Sequence, residues 1–521
     1  MPRATKSTRH TPGLPSSTFV LDNGAYNIKA GFAPAGPASD AAALQKCHAI
    51  PNCIVRTRDK KTYIGAQSQE ITQWSEALFR RPVENGQVVS WETQKDIWDE
   101  SFFDDKTARN ELLVKHPEET TLLFTEPPNT MPELQKNADE IIVEEWGFGG
   151  YARVIGRYGP RLRPAPPPLR AKREAGDGWA DDIWQGPSLN AYNDLHPLFE
   201  GESYTKSEKG NNDSAFTDLP MECVLVIDSG YSHSTVTPLF NGRPIHRAIR
   251  RLDFGGKHLT NLLKELISVR HFDLHQDTKI VNDIKEEVCF VSDDFRRDLE
   301  RTWKGNKGHR QQVFASNTQR SDHAMDLDHP ASQQQDEELR VDYILPDGIR
   351  LLRGFSRPHD SSTSAQKRRK AAALASDPEA EIAMTLGNER FSVPEILFSP
   401  SDIGSKQPGL PDIVMQSLGV LPPLVQATML SNVLVVGGSA KIAGLVERLE
   451  AELRMRVKTE WAVRVRKMPD PTTSTWLGGA RLASNWPEVV REYGVTKEEY
   501  YEHGSAWVAR RFVSGGSGKG P

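Results

Sequence analysis

Two short apolar runs, each followed at once by an acidic turn, most constrain how this chain can fold. The first spans residues 19–26 (FVLDNGAY), and the second spans residues 224–231 (VLVIDSGY). Continuous apolar runs of this length are typical of buried strands. An acidic, glycine-bearing turn at the end of such a strand can present backbone amides and a carboxylate to a phosphate and its metal. One such turn is ordinary in structural loops, whereas a pair of them predicts a clamp.

A third run of the same kind extends the pattern. Residues 433–440 (VLVVGGSA) form another apolar strand that ends in a double glycine. Between the second and third runs, residues 251–257 (RLDFGGK) lead into a helical pattern through Leu259, Leu262, Leu263 and Leu266. Repeated strand-and-turn elements predict an α/β architecture with two lobes.

These motifs resemble actin over about residues 18–512, apart from several insertions. Actin has Gly where this chain has Tyr26 and Asp where it has Tyr231, and both tyrosines resemble a nuclear branch of the actin-related proteins. The resemblance implies the actin-like fold shared with Hsp70 and sugar kinases, in which two lobes flank a nucleotide cleft. Further matching stretches are residues 50–53 (IPNC), 281–292 (VNDIKEEVCFVS), 388–398 (NERFSVPEILF) and 401–404 (SDIG).

The predicted domain organisation follows from the resemblance and from changes in composition. Three internal stretches carry too few apolar side chains to offset the entropy of ordering. Each of these insertions is either a binding arm or a tolerated loop. The predicted segments are a flexible tail at 1–17, a first lobe at 18–157, a Pro/Arg-rich insertion at 158–220, a second lobe at 221–464 with insertions at about 304–338 and 357–379, a C-terminal return to the first lobe at 465–512, and a flexible tail at 513–521.

Length, charge and cysteine content exclude several classes of protein. A chain of 521 residues is long enough for two cores. The formal net charge of -5 argues against a surface built as a whole for nucleic acid. Cys47, Cys53, Cys223 and Cys289 lack the close spacing of a zinc site, which predicts reduced, mostly buried thiols. No signal peptide or membrane-spanning run is visible, so we expect a soluble intracellular protein.

The resemblance implies a nucleotide site that holds ATP or ADP with Mg²⁺ as a structural ligand. Asp22 and Asp228 would hold the Mg²⁺ through its water shell. Lys29 would reach the phosphates as a point charge. The residues expected to offer backbone amides to the phosphates are Asn23, Gly24, Ser229 and Gly230. The residues at the adenosine positions are Gly255, Gly256, Lys285, Glu286, Gly437, Gly438 and Ile442, although Lys285 and Glu286 also fit an exposed charge pair on a helix.

Departures from actin predict that the hydrolytic apparatus is lost and that no residue is catalytic. Hydrolysis needs a water held in line with the phosphorus atom. Thr235 stands at actin's water-orienting histidine position, and Gly156 or its neighbourhood stands at the water-positioning glutamine, with no Gln between residues 136 and 184. Thr472 replaces an adenine-side lysine. Tyr26 places a bulky ring in a turn that normally lets a phosphate come close, so we expect weakened phosphate contact.

The implied function is that of a non-catalytic scaffold subunit in a nuclear, ATP-dependent chromatin-remodelling complex of the SWR type, which exchanges a histone variant into nucleosomes. The implied partners are a Swi/Snf-type remodelling ATPase, a small zinc-finger subunit and the nucleosome. Residues 51–67 form only a short hairpin where actin has a long polymer-contact loop, so we expect a monomer within a hetero-oligomer. The alternative is an active actin-like ATPase in the cytoplasm, with or without filament formation.

Two basic segments bear on localisation and on DNA binding. The cluster Lys367, Arg368, Arg369 and Lys370 suits a nuclear import receptor, or it is a solvated charge run. The Pro-rich stretch Arg161–Arg173 could lie along DNA phosphates by counterion release, or serve as a peptide ligand or a solvated arm. Together with the resemblance, these features predict a nuclear protein.

Overall fold

The computed structural model describes residues 13–155, 223–302 and 339–514, except for 73, 75–76, 129, 241–242, 272, 348–349 and 361–381. Several sequence predictions therefore lie outside the described residues. They are the insertions at 158–220 and 304–338, most of the insertion at 357–379, the cluster Lys367–Lys370, the stretch Arg161–Arg173 and the position of Gly156.

The described residues form an α/β fold with two lobes, as predicted. The strands are β1 Ser17–Asn23, β2 Asn27–Phe32, β3 His48–Pro51, β4 Ile54–Arg56, β5 Thr62–Ile64, β6 Leu78–Arg80, β7 Val83–Glu84, β8 Gln87–Val88, β9 Thr120–Glu126, β10 Gly150–Ile155, β11 Cys223–Ser229, β12 Ser234–Phe240, β13 Arg243–Pro244, β14 Arg250–Leu252, β15 Val341–Ile344, β16 Phe355–Pro358, β17 Ala383–Leu386, β18 Val433–Val436, β19 Val465–Lys467 and β20 Val495–Thr496. The α-helices are α1 Asp40–Leu44, α2 Trp91–Trp98, α3 Pro132–Glu140, α4 Gly256–Arg270, α5 Thr278–Val288, α6 Phe295–Arg301, α7 Glu389–Glu395, α8 Leu410–Leu418, α9 Pro423–Leu430, α10 Leu445–Arg456, α11 Ser474–Asn485, α12 Pro487–Tyr493, α13 Lys497–His503 and α14 Ser505–Ser514.

The first lobe is built on a six-stranded sheet in the order β20-β10-β9-β1-β2-β3. Strand β1 is parallel to β9 and antiparallel to β2. Phe19 and Leu21 belong to one buried cluster, and Val20 belongs to another with Trp476 of α11. Successive side chains of a strand point to opposite faces of the sheet. The apolar run in the sequence is therefore continuous because both faces of the sheet are covered.

The second lobe repeats this arrangement. Its main sheet has the order β13-β12-β11-β18-β19, and β14 also pairs with β12. Strand β11 is antiparallel to β12 and parallel to β18. Leu225 and Ile227 belong to one buried cluster, whereas Val224 and Val226 belong to another. Each lobe thus holds an acidic-turn strand between an antiparallel hairpin partner and a parallel neighbour.

The C-terminal segment lies against the first lobe, but its crossing begins later than residue 465. Strand β19 pairs in parallel with β18, so residues 465–467 still belong to the second sheet rather than to the predicted return at 465–512. Beyond them, the indole of Trp476 donates a hydrogen bond to the Val20 carbonyl at 3.1 Å. Strand β20 then pairs with β10.

Three other predicted boundaries shift because strand pairing and helix packing extend further than composition indicated. The Thr121 hydroxyl donates to the Pro15 carbonyl at 2.9 Å, so the end of the predicted tail at 1–17 lies against the first sheet. Helix α14 continues to Ser514, beyond the predicted lobe end at 512. Strand β16 pairs with β15 inside the start of the predicted insertion at 357–379.

A small antiparallel sheet, β5-β4-β6, forms the tip of the first lobe and contains the short hairpin predicted at 51–67. All four cysteines lie in the described ranges and are not joined in disulfides, and Cys53, Cys223 and Cys289 are buried. Within the described part of the chain, every helix is too short or too polar to cross a membrane.

The buried strand β11 offers a direct test of the second core. Leu225 is 0% exposed, and Leu424 is 80% exposed. We expect Leu225→Ala to destabilise the protein by about 2–5 kcal/mol, because it removes buried methyl groups and leaves a cavity. Leu424→Ala, the same chemical change at the surface, should shift stability by less than about 0.5 kcal/mol. Urea unfolding followed by circular dichroism measures both, and equal midpoints for the two variants would contradict the packing described for β11.

Candidate functional site

An interlobe cleft of about 830 Å³ lies where the two acidic turns face each other. The first acidic turn is residues 22–26, and the second is residues 228–231. Twelve of the residues predicted to hold a nucleotide line this cleft: Asp22, Asn23, Gly24, Lys29, Asp228, Gly230, Gly256, Lys285, Glu286, Gly437, Gly438 and Ile442.

Ser229 and Gly255, which were predicted to contact the nucleotide, lie behind the cleft wall instead. The Ser229 hydroxyl is buried and hydrogen-bonded to the Ser234 hydroxyl at 2.9 Å. Gly255 is packed beneath the second acidic turn, where an added Cβ would stand 2.7 Å from the carbonyl oxygens of Gly230 and Tyr231. Both residues therefore shape the turn from inside the lobe.

The carboxylate of Asp22 is partly neutralised by its own lobe. The Thr125 hydroxyl donates to Asp22 Oδ1 at 2.9 Å, and Lys29 Nζ lies 3.4 Å from Asp22 Oδ2. Asp22 and Lys29 are direct partners in the β1–β2 register. Lys29 therefore contacts the carboxylate as well as the cleft, so a bound phosphate would share this cation with Asp22.

The surroundings of the two carboxylates fit a hydrated Mg²⁺ better than a cation caged by protein. In the part of the chain that is described, no group of three or more His, Cys, Asp or Glu side chains is placed to hold a metal. Magnesium commonly keeps several waters and takes one or two carboxylates plus phosphate oxygens. Asp22 and Asp228 could supply the carboxylates.

Two predicted phosphate donors are already engaged within their own turns. The Gly24 amide donates to the Asp22 carbonyl at 3.1 Å, and the Gly230 amide donates to the His233 carbonyl at 3.0 Å. In this arrangement both amides are therefore occupied by oxygens of the chain, and their contact with a phosphate stays a prediction. The turns are tight enough that the amides close them instead of pointing into the cleft.

The double glycine after β18 leaves backbone bare at the cleft. Gly437 has φ +93°, and a Cβ on it would stand 2.6 Å from Asp228 Oδ1. A side chain at Gly438 would meet no atom within 4 Å. Glycine is required at the first position by conformation and by contact, and at the second it leaves room for a ligand to approach the backbone closely.

Lys285 is not part of an exposed helical charge pair, so that alternative is wrong. It is 7% exposed, and its ammonium donates to Asn282 Oδ1 at 2.9 Å and to the Thr260 hydroxyl at 3.0 Å. Burial lowers the pKa of this lysine. Glu286 instead accepts a hydrogen bond from Asn282 Nδ2 at 2.7 Å. Lys285 is a fixed part of the cleft wall.

A cation near Thr472 comes from a residue that the sequence analysis missed. Lys441 lines the cleft, and its ammonium lies 3.0 Å from Asp470 Oδ1. The Thr472 hydroxyl donates to the same oxygen at 2.6 Å. Lys441 follows the double glycine by three residues. Its closeness in sequence to that turn was the one feature that could have predicted its place at the cleft.

Tyr26 and Tyr231 meet across the cleft, and we call this pair the tyrosine wall. Their ring centroids are 4.9 Å apart. The Arg81 guanidinium lies 4.4 Å from the Tyr26 ring centroid and 5.3 Å from that of Tyr231. Asn282 Nδ2 donates to the Tyr26 hydroxyl at 3.1 Å. Ring–ring and cation–π contacts therefore join the lobes where we expected only a crowded turn.

Arg81 is held in place by backbone oxygens as well as by the rings. Its NH1 group donates to the Tyr26 carbonyl at 3.1 Å and to the Asn52 carbonyl at 3.3 Å. Burial raises the pKa of both Tyr26 and Tyr231, with Arg81 opposing the shift. Both phenols therefore remain neutral at physiological pH.

Buried amide side chains fix the first acidic turn from behind. Asn23 Nδ2 donates to Gln94 Oε1 at 2.9 Å, and Gln94 Nε2 donates to Asn52 Oδ1 at 3.1 Å. Asn52 Nδ2 in turn donates to the Gly24 carbonyl at 2.9 Å. The sequence analysis missed Gln94, which lies about seventy residues from the turn. Satisfied buried networks of this kind hold a turn in one geometry.

The β7–β8 hairpin makes a second contact between the lobes. Arg251 NH1 donates to the Asn85 carbonyl at 3.0 Å. Gly86 has φ +78° and lies so close to His233 that a Cβ would overlap with the imidazole. Thr235, at the predicted water-orienting position, is fully buried in β12 and does not line the cleft.

A buried ionic triad borders the cleft beside the first acidic turn. Arg153 NH1 donates to both oxygens of Asp139 at 2.9 and 3.1 Å, and Arg153 Nε lies 3.4 Å from Glu126 Oε2. Gln135 Nε2 also donates to Glu126 at 2.8 Å. Burial raises the pKa of Glu126 to about 7 and that of Asp139 to about 6, with Arg153 opposing both shifts.

The fold and the cleft define a two-lobed protein of the actin class, and comparison with known proteins agrees. The Actin family matches residues 13–158 and 183–513. The chain belongs to the actin family. Proteins of this family generally bind a nucleotide with a divalent metal.

Within the family, the similarity is to actin-related protein 6, and this confirms the resemblance to an actin-related protein that the two tyrosines indicated. Actin-like protein arp6 of Emericella nidulans is 48% identical over 517 residues, which cover 98% of each chain. Actin-related protein 6 of Neurospora crassa is 41% identical over 512 residues, again 98% of each chain. Actin-related protein 6 of Drosophila melanogaster is 31% identical over 500 residues, or 96% of this chain and 100% of the relative.

The raised pKa of Glu126 gives the protein a specific pH dependence. Because the pKa rises from its ordinary value of 4.5 to about 7, the folded protein binds this proton more tightly than the unfolded chain does. Stability from this group is therefore full below pH 4.5 and declines as the pH rises toward 7. We expect Glu126→Gln to flatten the fall in the free energy of unfolding between pH 5 and 7.

Urea unfolding at several pH values measures this slope. The matched control is Glu119→Gln, because Glu119 is exposed on the surface. Burial also raises the pKa of Glu395 to about 7, so the wild-type slope has more than one source, and the test is the difference between variants. A Glu126→Gln slope equal to that of wild type would contradict the prediction.

The Arg81 contacts predict how tightly the lobes are held together. We expect Arg81→Ala to speed hydrogen exchange of backbone amides in both acidic turns by about tenfold, because a loss of about 1.4 kcal/mol raises the open population by that factor. The control is Arg56→Ala, since Arg56 is exposed on β4 of the same lobe. Mass-spectrometric hydrogen exchange measures both, and similar rates in the two variants would show that Arg81 does not join the lobes.

Proposed function

We propose that this chain is a non-catalytic, actin-like scaffold subunit of a nuclear, ATP-dependent chromatin-remodelling complex of the SWR type, which exchanges a histone variant into nucleosomes. The observation that carries the proposal is the tyrosine wall, which joins the lobes at the two turns that would have to cradle phosphates for hydrolysis. Similarity over almost the whole chain to proteins named actin-related protein 6 supports the proposed branch.

The hydrogen bonds and burial of the groups around the two acidic turns support the absence of catalysis. Hydrolysis requires a water aligned with the phosphorus atom and donors that stabilise the growing charge. The amides of Gly24 and Gly230 close their own turns, and Thr235 is buried away from the cleft. Glu126 borders the cleft but accepts from Gln135 and pairs with Arg153. In this proposal no residue of the chain is a catalytic base.

A nucleotide with Mg²⁺ acts as a structural ligand in this proposal. The bare backbone at Gly438, the fixed ammonium of Lys285 and the paired carboxylates of the acidic turns fit a phosphorylated, metal-bound ligand. Binding to the folded state alone stabilises a protein by mass action. The nucleotide would add its contacts to those of the tyrosine wall.

The proposed partners are a Swi/Snf-type remodelling ATPase, a small zinc-finger subunit of the same complex and the nucleosome. DNA contact is proposed through Arg161–Arg173, and nuclear import through Lys367–Lys370. The short β4–β5 hairpin at the tip of the first lobe supports a monomer within a hetero-oligomer rather than a filament. The alternative, an active cytoplasmic ATPase with or without filament formation, is favoured by the presence of both Asp22 and Asp228 at the cleft.

A tagged native copy of the chain tests the proposal. We expect it to purify from nuclei with a Swi/Snf-type ATPase, a zinc-finger subunit and histones, because a scaffold subunit is stably bound in its complex. Complex assembled without the chain should lose histone-variant exchange by tenfold or more, and added wild-type chain should restore it. Recovery from the cytoplasm as a sedimenting polymer, or full exchange activity without the chain, would contradict the scaffold and favour the alternative.

A further inference from the structure

The tyrosine wall separates two cavities. Tyr26 and Tyr231 line the interlobe cleft of about 830 Å³ and also a second cavity of about 570 Å³, which we call the outer cavity. The outer cavity lies between the tip of the first lobe and the starts of α4 and α5. Arg81 lines the outer cavity but not the interlobe cleft. The two tyrosine rings therefore line the cleft, whereas the Arg81 guanidinium that contacts them lies on the side of the outer cavity.

The wall stands at the phosphate end of the cleft. Tyr26 follows Gly24 by two residues, and Tyr231 directly follows Gly230, so each ring lies beside an acidic turn. Gly437, Gly438 and Lys285 mark the other walls of the same cleft. A nucleotide whose base and ribose lie against these glycines would point its phosphate chain toward the two turns and, beyond them, toward the rings.

The last phosphate of a triphosphate would therefore meet few donors. The amides of Gly24 and Gly230 already donate hydrogen bonds within their own turns, and the Lys29 ammonium contacts Asp22. Aromatic ring faces carry negative charge density, and a phosphate that loses water against them gains no hydrogen bond in return. The Arg81 guanidinium lies over both rings and donates to the Tyr26 and Asn52 carbonyls on the far side.

We propose that Tyr26 and Tyr231 make the interlobe cleft selective for a nucleoside diphosphate over a nucleoside triphosphate. This inference rests on the nucleotide binding proposed above and names the ligand class of that site. A diphosphate would end at the acidic turns, where Asp22 and Asp228 would hold Mg²⁺, and the Mg²⁺ and Lys29 would neutralise its charge. A third phosphate requires the rings to part or to be replaced by a smaller side chain.

Calorimetric titration of the full chain, after its bound nucleotide is removed, tests the proposal. The probes are Mg-ADP and a Mg-bound, non-hydrolysable imido analogue of ATP. We expect ADP to bind at least tenfold more tightly than the analogue. In Tyr26→Ala the ratio of the two dissociation constants should fall toward one, mainly because the analogue binds more tightly.

Two further variants separate selectivity from lobe closure. Tyr26→Phe keeps the ring and loses only the hydrogen bond from Asn282, so it should keep the wild-type ratio. Arg81→Ala keeps both rings, so we expect it to weaken both nucleotides by a similar factor and to leave the ratio unchanged. Circular dichroism confirms that each variant is folded before titration.

The possible outcomes distinguish this inference from the proposed nucleotide binding. Equal affinity, or tighter binding of the triphosphate analogue to wild type, overturns the selectivity and leaves nucleotide binding intact. A tenfold preference that persists in folded Tyr26→Ala shows that the ring does not cause it, and this overturns the role of the wall. Binding of neither nucleotide to folded wild type overturns the proposed ligand itself and the selectivity with it.

Discussion

The contact of Tyr26 with Tyr231 is the interaction on which the arrangement of this cleft depends. Each lobe buries a strand on both faces, and each strand ends in an acidic turn that lines the cleft between the lobes. Lys29 and Thr125 hold the Asp22 carboxylate from within the first lobe. The rings, clamped by Arg81, supply an attraction between the turns that requires no ligand.

The proposed scaffold role is consistent with a contact that holds the two lobes together. A subunit that holds other proteins in place benefits from a lobe arrangement that does not change with each cycle of hydrolysis. The hairpin contact of Arg251 with Asn85 adds a second bridge between the lobes. In the scaffold proposal, the nucleotide strengthens an arrangement that the chain already favours, whereas in actin-like catalysis it would drive a change of arrangement.

Local patterns in the sequence were enough to predict the α/β fold, the two lobes and most of the residues around the cleft. Residues 19–21 and 224–227 are continuously apolar because both sheet faces are covered, and this is visible without a structure. Domain boundaries were less predictable, because β19 belongs to the second lobe only through its pairing with β18. The burial of Lys285 could not be predicted from the sequence either, since its hydrogen-bond partner Thr260 lies on another helix. Arg81 and Gln94 carry no motif, and their roles arise from contacts with turns that are distant in the chain.

The nucleotide that the purified protein carries tests the central claim most directly. The chain is purified without added nucleotide and denatured, the released nucleotide is identified by chromatography, and phosphate release by the folded protein is assayed in parallel. The account predicts close to one ADP per chain and no turnover, since the ligand is structural and the wall disfavours a third phosphate. Steady release of phosphate that is lost in Asp22→Ala would contradict it and show that the cleft is an active site.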